Sequence, residues 1–414
     1  MSAFEGKPTS TAGVTGPWYC APVATAKFLH AADLHLGAPL KSLGQAVSPA
    51  ARERLLTLVN GAYTRMIEVA KSEKVDFVVL AGDIYDDAER DPGAQRRFLL
   101  GLRELVDAGI RVFMVHGNHD PLTRDIRNGL LPEGVVVFPA GKLGVETVAM
   151  SNGVEVTVAG VSYRKKEELE TLVPLFAGLA GQTVVGVLHT NVGANTMHGP
   201  YAPTSPEELA AAPVHYWALG HIHLRSVNRN PRGWWAYPGN LQGRSVKAAE
   251  CGPKGVLVVS VDDNGAVLEP EFRECSTVRF ARLNVPMDDV AEEAAVGDAV
   301  NAVLADEVAR ADGTPLVVRL EFTGQTDIPA LRDTTSSAWV SLSEAIVEEA
   351  ADVLGDGVIA KIRSSCVPRI DLAHERTRPT LLGKVLLAVD EAEASSDVRQ
   401  DAIEILVNAL GATR

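Results

Sequence analysis

The chain has little cysteine: four residues in 414, Cys20, Cys251, Cys275 and Cys366, with no CxxC spacing among them. That excludes a thiolate zinc knuckle and a disulfide framework, and it suits a reducing cytoplasm. No apolar run approaches the roughly 18 residues of a membrane-spanning helix, so no membrane partner is expected. The opening MSAFEGKPTSTAGVTGPWYCAPVATA has neither the basic start nor the apolar centre of a secretory signal, and residues 1–26 read as a flexible leader. Positive charge is also scarce, with 39 Lys and Arg against 53 Asp and Glu and a net charge of −14 with His neutral. A surface of that balance repels phosphate backbones, which excludes a coat of non-specific nucleic-acid binding but leaves room for a local site. There is no internal repeat and no marked Ser or Cys nucleophile elbow.

Hydrophobic residues at 46% and charged residues at 22% describe an ordinary globular protein, and the length implies two or three domains. From residue 27 short β-branched runs alternate with amphipathic helices. KFLHAA leads to one helix over PAARERLLTLVNGAYTRMIEVAKSEK, then DFVVLAGD, a helix over PGAQRRFLLGLRELVDAG, and RVFMVHGNHD. This rhythm predicts βαβ units whose strands are buried on both faces. VEVTVAGVSY, TVVGVLHTN, YWALGHIH and GVLVVSVDDNGAVLEPEF add strands, the last with a DDNG hairpin turn. An α/β two-sheet sandwich is expected over 27–270. A smaller α+β domain of β-α-β-α-β order follows over 275–370, and a helical tail over 371–414.

FLHAADLHLG, residues 28–37, ends an apolar strand in Asp33 and His35. Residues two apart on a strand point the same way, so the pair can grip one metal ion; turn capping by Asp33 and a loop role for His35 are the ordinary alternative. Nearly every later strand ends in similar groups: Asp83 with Asp86, then Asn118, His119 and Asp120, then His189, then His221 and His223. The carboxyl ends of strands in α/β sheets converge on one crevice. Each fragment alone has a bland reading as a turn or a strand-end histidine, but five in this order are poorly explained by chance. Together they form an oxygen and imidazole set suited to Mn, Fe, Zn or Mg.

The ordered set DLH, GD, GNHD, H and GHIH, over most of residues 27–245, resembles the calcineurin-like metallophosphoesterases. FLHAADLHLG, YWALGHIH and YPGNLQGR look most like the SbcD/YhaO group of bacterial DNA repair exonucleases. The resemblance implies a metallophosphoesterase core with two divalent ions, Mn2+ foremost and Fe, Zn or Mg as alternatives. It implies that Asp33, His35 and His223 hold one ion, that Asn118, His189 and His221 hold the other, and that Asp83 bridges them. His119 becomes the general acid and Asp86 the residue that orients it, where archaeal and eukaryotic repair nucleases of this type more usually carry a histidine. Two ions would activate water for in-line attack on phosphorus, which accounts for the missing nucleophile elbow. DNA is the expected substrate and an SbcC-like coiled-coil ATPase the expected partner. A homodimer is one assembly open to such a chain.

Rival readings are a small-molecule phosphomonoesterase or nucleotidase, and a non-catalytic scaffold for an ATPase, which a missing ligand would have signalled. Basic residues gather between Arg225 and Lys254, and Arg244 in the glycine-rich YPGNLQGR stands as a phosphate contact or as a solvated loop charge. Trp234 and Trp235 beside it either stack on a base or pack. The apolar stripe Leu381, Leu382, Val385, Leu386, Ile403, Ile405 and Leu406 either docks on a partner or packs on its own domain.

Overall fold

The computed structural model describes residues 25–40, 43, 47–86, 91–122, 131–193, 201–369 and 372–394. The leader up to residue 24, and Ile403, Ile405 and Leu406 of the tail, lie outside the described residues. The chain forms two compact units, one from residues 25–39, 58–242 and 253–276, the other from residues 40–57, 243–252 and 277–394.

In the first unit, β1 (Ala26–Ala31), β2 (Phe77–Ala81), β3 (Arg111–Val115) and β4 (Val135–Val137) run parallel, and β11 (Gly255–Val261) with β12 (Glu271–Glu274) extends the sheet antiparallel beyond β1. The second sheet has the order β5 (Gly144–Ala149), β6 (Glu155–Gly160), β7 (Thr183–His189), β8 (Tyr216–Gly220), β10 (Gly233–Tyr237), β9 (Ser226–Asn230), with β6, β7, β8 and β10 parallel. The predicted two-sheet sandwich is therefore present. The inner faces meet in an apolar layer that includes Phe28, Phe77, Phe113, Val158, Val185 and Tyr216, all fully buried. Phe28 and Phe77 stack with ring centroids 4.8 Å apart.

Period-two alternation sends Leu29, Leu80 and Val112 to the other face of the first sheet, against Met66 and Ile67 of α2 (Gly61–Ser72) and Phe98 and Leu102 of α3 (Pro92–Asp107). Both faces of these strands are thus apolar, which is why they read as unbroken hydrophobic runs. The single helix expected over residues 49–74 is two, α1 (Pro49–Val59) and α2, interrupted at Asn60. Asn-Gly is a weak pair of helix formers, and no tertiary contact need be invoked for the break. α3 starts where Asp91 accepts from the N–H groups of Gly93 and Ala94, with Pro92 in the first turn. The DDNG turn forms as expected, with Asp262 accepting from the N–H of Asn264 and Ala266.

In the second unit, β13 (Arg279–Pro286), β14 (Leu316–Thr323) and β15 (Val358–Ser364) form a parallel sheet in that order. The connections carry α5 (Val296–Ala311) and α7 (Ser337–Leu354), whose Val300, Leu304, Leu342 and Ile346 share one core with Val318 and Phe322. This is the expected β-α-β-α-β order. α8 (Leu372–Arg376) and α9 (Leu381–Ala394) follow, joined by a two-point Arg376–Asp390 ion pair at 2.8 and 3.1 Å. No helix among the described residues is long and apolar enough to cross a membrane.

Candidate metal centre

The polar residues named from the sequence lie at the carboxyl ends of β1, β2, β3, β7 and β8. Parallel pairing aligns those ends, so groups nearly 200 positions apart in sequence become neighbours. Asp33, His35, Asp83 and His221 have φ of 50°, 45°, 51° and 101°. Only seven described residues other than glycine have positive φ, and four of them sit here. Each such conformation costs of order 1–3 kcal/mol and persists because the surroundings fix it. The fixing bonds are visible: Asp33 N–H donates to Gly82 O at 3.1 Å, and His35 N–H donates to Asp83 O at 3.0 Å. Gly117 and Gly220 permit the close approach, since a Cβ on the first would strike Asp83 Oδ1 and on the second the carbonyl of Ala81.

Three sets of donor atoms each lie within 4.8 Å of one another: Asp33, His35 and His223; Asp33, Asp83 and His189; His35, Asp86 and His119. His35 Nε2 is 3.1 Å from His223 Nε2. Asp83 Oδ2 lies 3.8 Å from His35 Nε2 and 3.4 Å from His189 Nε2. Asn118 Oδ1 is 2.9 Å from His189 Nε2 and 3.2 Å from His221 Nδ1. Nδ1–H of His189 donates to Ala81 O at 2.9 Å, which leaves the Nε2 lone pair facing Asp83 and Asn118. Oxygen and nitrogen donor atoms that crowd together in this way fit a divalent cation.

The electrostatics agree. Burial pushes the Asp33 carboxyl up to about 6. Burial acts on Asp83 in the same sense, yet His189, His35 and His119 together hold its carboxyl below the usual range. Burial alone would lower His189, but Asp83 and Asp33 drive it up to about 9. The buried carboxylates thus demand positive charge at the imidazoles, a demand that a metal ion meets in place of a proton. Outside this buried group, His119 is one-third exposed and its Nδ1 lies 2.8 Å from Asp86 Oδ1. That bond to Asp86 raises the imidazole above its ordinary value against partial burial. The His119 backbone N–H donates to Asp83 Oδ1 at 2.9 Å.

Arg244 falls in the second unit, where its N–H donates to Glu250 Oε2 at 2.9 Å. Trp234 is packed, with its indole N–H on Val267 O at 3.1 Å, and Trp235 meets Tyr237 edge to face. Two residues support the site from behind: Asp120, which the sequence offers only as one more strand-end donor group, and Lys254, which it offers only as one end of a basic stretch. Asp120 is buried and divides its carboxylate between two loops: Oδ1 accepts from Gly117 N–H at 2.9 Å, and Oδ2 accepts from Ile84 N–H at 2.8 Å. It stands in the GNHD motif, so a signal existed. Lys254, also buried, donates to His223 O at 2.7 Å from the position just before β11, 31 residues on, and nothing local announces it.

A family model described as calcineurin-like phosphoesterase matches residues 26–225, and one described as metallophosphoesterase YhaO, middle domain, matches residues 280–367. An uncharacterized metallophosphoesterase YhaO of Bacillus subtilis is 30% identical over 72% of this chain and 71% of its own length. The DNA double-strand break repair proteins Mre11 of Aeropyrum pernix and Archaeoglobus fulgidus are 26% and 29% identical over 59% and 54% of the chain. Of these two the chain spans only 60% and 52%. Family model, relative and donor set agree: the chain belongs to the calcineurin-like metallophosphoesterases, of the YhaO kind, and is a metal-dependent hydrolase.

Proposed function

We propose that the chain is a two-metal phosphodiesterase that cuts DNA ends. The observation that carries this reading is the seat of Asp83, whose Oδ2 faces His35 Nε2 at 3.8 Å on one side and His189 Nε2 at 3.4 Å on the other. Asp33, His35 and His223 would hold one ion and Asn118, His189 and His221 the second, with Asp83 placed to contribute a carboxylate oxygen to either set. When bound, a pair of divalent ions, Mn2+ foremost, supplies activated water and offsets charge on the phosphoryl oxygens. The chain's own residues do the rest. Asp33 fixes the His221 backbone by accepting its N–H at 3.0 Å, Ala81 O fixes the His189 tautomer, and Asp120 holds the two loops in register. His119, with Nδ1 committed to Asp86, presents Nε2 to protonate the departing oxygen.

DNA as substrate is supported by the repair proteins among the relatives. A coiled-coil ATPase of the SbcC kind would add basic surface to a chain whose net charge is −14, and α9, with Leu381 at 81% and Val385 at 50% exposure, is its docking element. One observation favours a second reading: Asp86 beside His119 is also the arrangement of phosphatases in the superfamily, so a small phosphomonoester is the rival substrate. Purified protein with Mn2+ should be offered labelled linear duplex DNA, a para-nitrophenyl phosphodiester and the monoester. Release from DNA and the diester ahead of the monoester supports the proposal, and preference for the monoester overturns it.

A further inference from the structure

Strands β7 and β8 have a second end. The residues just before them, Gln182 and His215, join the β9–β10 hairpin and the turn before β12 around a cleft of about 600 Å3. From Gln182 to His189 is seven residues of extended chain, so at about 3.3 Å per residue the cleft lies roughly 20 Å from the metal centre. In a chain of net charge −14, no carboxylate lines it, while Arg229 and Arg232 both do. Among the described residues neither guanidinium is paired with a carboxylate. Arg229 is instead held over the face of Trp234, 4.8 Å from the ring centroid.

The neutral side chains of the cleft are also set as donors. Asn230 Oδ1 accepts from the N–H groups of Arg232 and Gly233, each at 2.9 Å, which fixes the amide and leaves Nδ2 buried with no acceptor. Orphaned buried donors are rare, and this one leaves the hairpin turn next to the two arginines without a neutralising acceptor. Val184 N–H donates to His215 Nδ1 at 3.0 Å, so the imidazole proton is on Nε2. The walls are rigid: Trp234 N–H bonds His215 O at 3.0 Å, its indole bonds Val267 O, and a side chain on Gly233 would strike His215 O.

We propose that this cleft is a second anion site that takes a phosphate group, between the guanidiniums of Arg229 and Arg232 and the donor His215 Nε2. Two planar guanidiniums suit tetrahedral oxyanions with several acceptor oxygens. The phosphate comes either from a nucleic-acid backbone or as free phosphate, and neither source requires the metal-centre reading to hold.

The test uses full-length, metal-loaded protein titrated calorimetrically with inorganic phosphate. The expected result is that R229Q/R232Q binds one equivalent fewer than wild type while hydrolysis of a small chromogenic diester is unchanged. Asn230→Asp keeps the Oδ1 acceptor that shapes the hairpin but sets a carboxylate beside the two guanidiniums, and it should lose the same equivalent even if the double variant folds poorly. A labelled single-stranded oligonucleotide, read by anisotropy in an Asp83→Asn background, separates the sources. If a backbone phosphate is the ligand, removing the arginines weakens binding at least about tenfold and lowers the salt slope by about 0.7 per lost phosphate contact. If free phosphate is the ligand, the oligonucleotide is unaffected while the phosphate equivalent is lost. Unchanged binding of both probes overturns the site.

Discussion

His119 Nδ1 lies 2.8 Å from Asp86 Oδ1, while the His119 backbone N–H is held by Asp83 Oδ1 at 2.9 Å. The imidazole is thus fixed at the rim of the donor cluster by its main chain and its side chain. A general acid there need not be a ligand, so His119→Ala is expected to keep its metal content by elemental analysis and to lose at least about a hundredfold in turnover. Asp86→Asn should lose less, because the ring remains but its orientation and charge are no longer supported. Metal loss in the His119 variant would make it a ligand instead.

Asp120 ties the loop of Asp83 to the loop of Asn118 with one oxygen for each. An amide in its place sets an NH2 against one of two backbone donors, at a cost of about 1–3 kcal/mol for the unsatisfied group. Asp120→Asn is expected to weaken manganese binding about tenfold or more by direct titration, with the folded fraction preserved in circular dichroism. Equal metal affinity would confine Asp120 to stability.

His30 offers a pH test away from the donor cluster. It is fully buried in β1, with Nδ1 on Tyr216 OH at 2.9 Å and Nε2 on Leu219 O at 3.2 Å, and burial lowers it to about 3. The unfolded chain takes up a proton near 6.5 and the folded chain only near 3, so stability is full above 6.5 and falls as the pH drops through that window. The loss reaches on the order of a few kcal/mol. Urea midpoints measured with chelator between pH 7 and 4 should fall less steeply in His30→Gln than in wild type. Parallel profiles would contradict the assignment.

Of the apolar residues of α9, Leu381, Val385, Leu387 and Val389 are 40% exposed or more. Deleting the chain from Thr380 onward is expected to spare hydrolysis of a small diester, since the donor cluster belongs to the first unit, and to abolish ATP-stimulated DNA degradation with the partner present. DNA degradation equal to that of the full chain would remove α9 as the docking element, and an unfolded product would make it structural.

The legible part of this protein was what local pattern encodes. Strands such as FVVLA, buried on both faces, read as unbroken apolar runs, and their carboxyl ends carried every residue of the donor cluster. The interruption at Asn60 has no signature in the pattern, because the apolar periodicity continues through it from Leu55 to Met66. The grouping of residues 40–57 and 243–252 with the second unit is a matter of long-range contacts, which periodicity does not record. For the same reason the support from Lys254 and from the Ala81 carbonyl was out of reach: a backbone acceptor has no side-chain signature, and a lone lysine has too many other uses.

The central claim is that Asp83 serves two ions whose loss abolishes phosphodiester cleavage. Elemental analysis of manganese-loaded protein, paired with turnover of a para-nitrophenyl phosphodiester by the same samples, tests it most directly in wild type and Asp83→Asn. The account predicts two ions per wild-type chain, fewer in the variant, no turnover in chelator, and a variant rate down at least about a hundredfold, since an amide cannot supply the bridging charge. A variant that keeps both ions and the wild-type rate, or a wild type that turns over without metal, would contradict it.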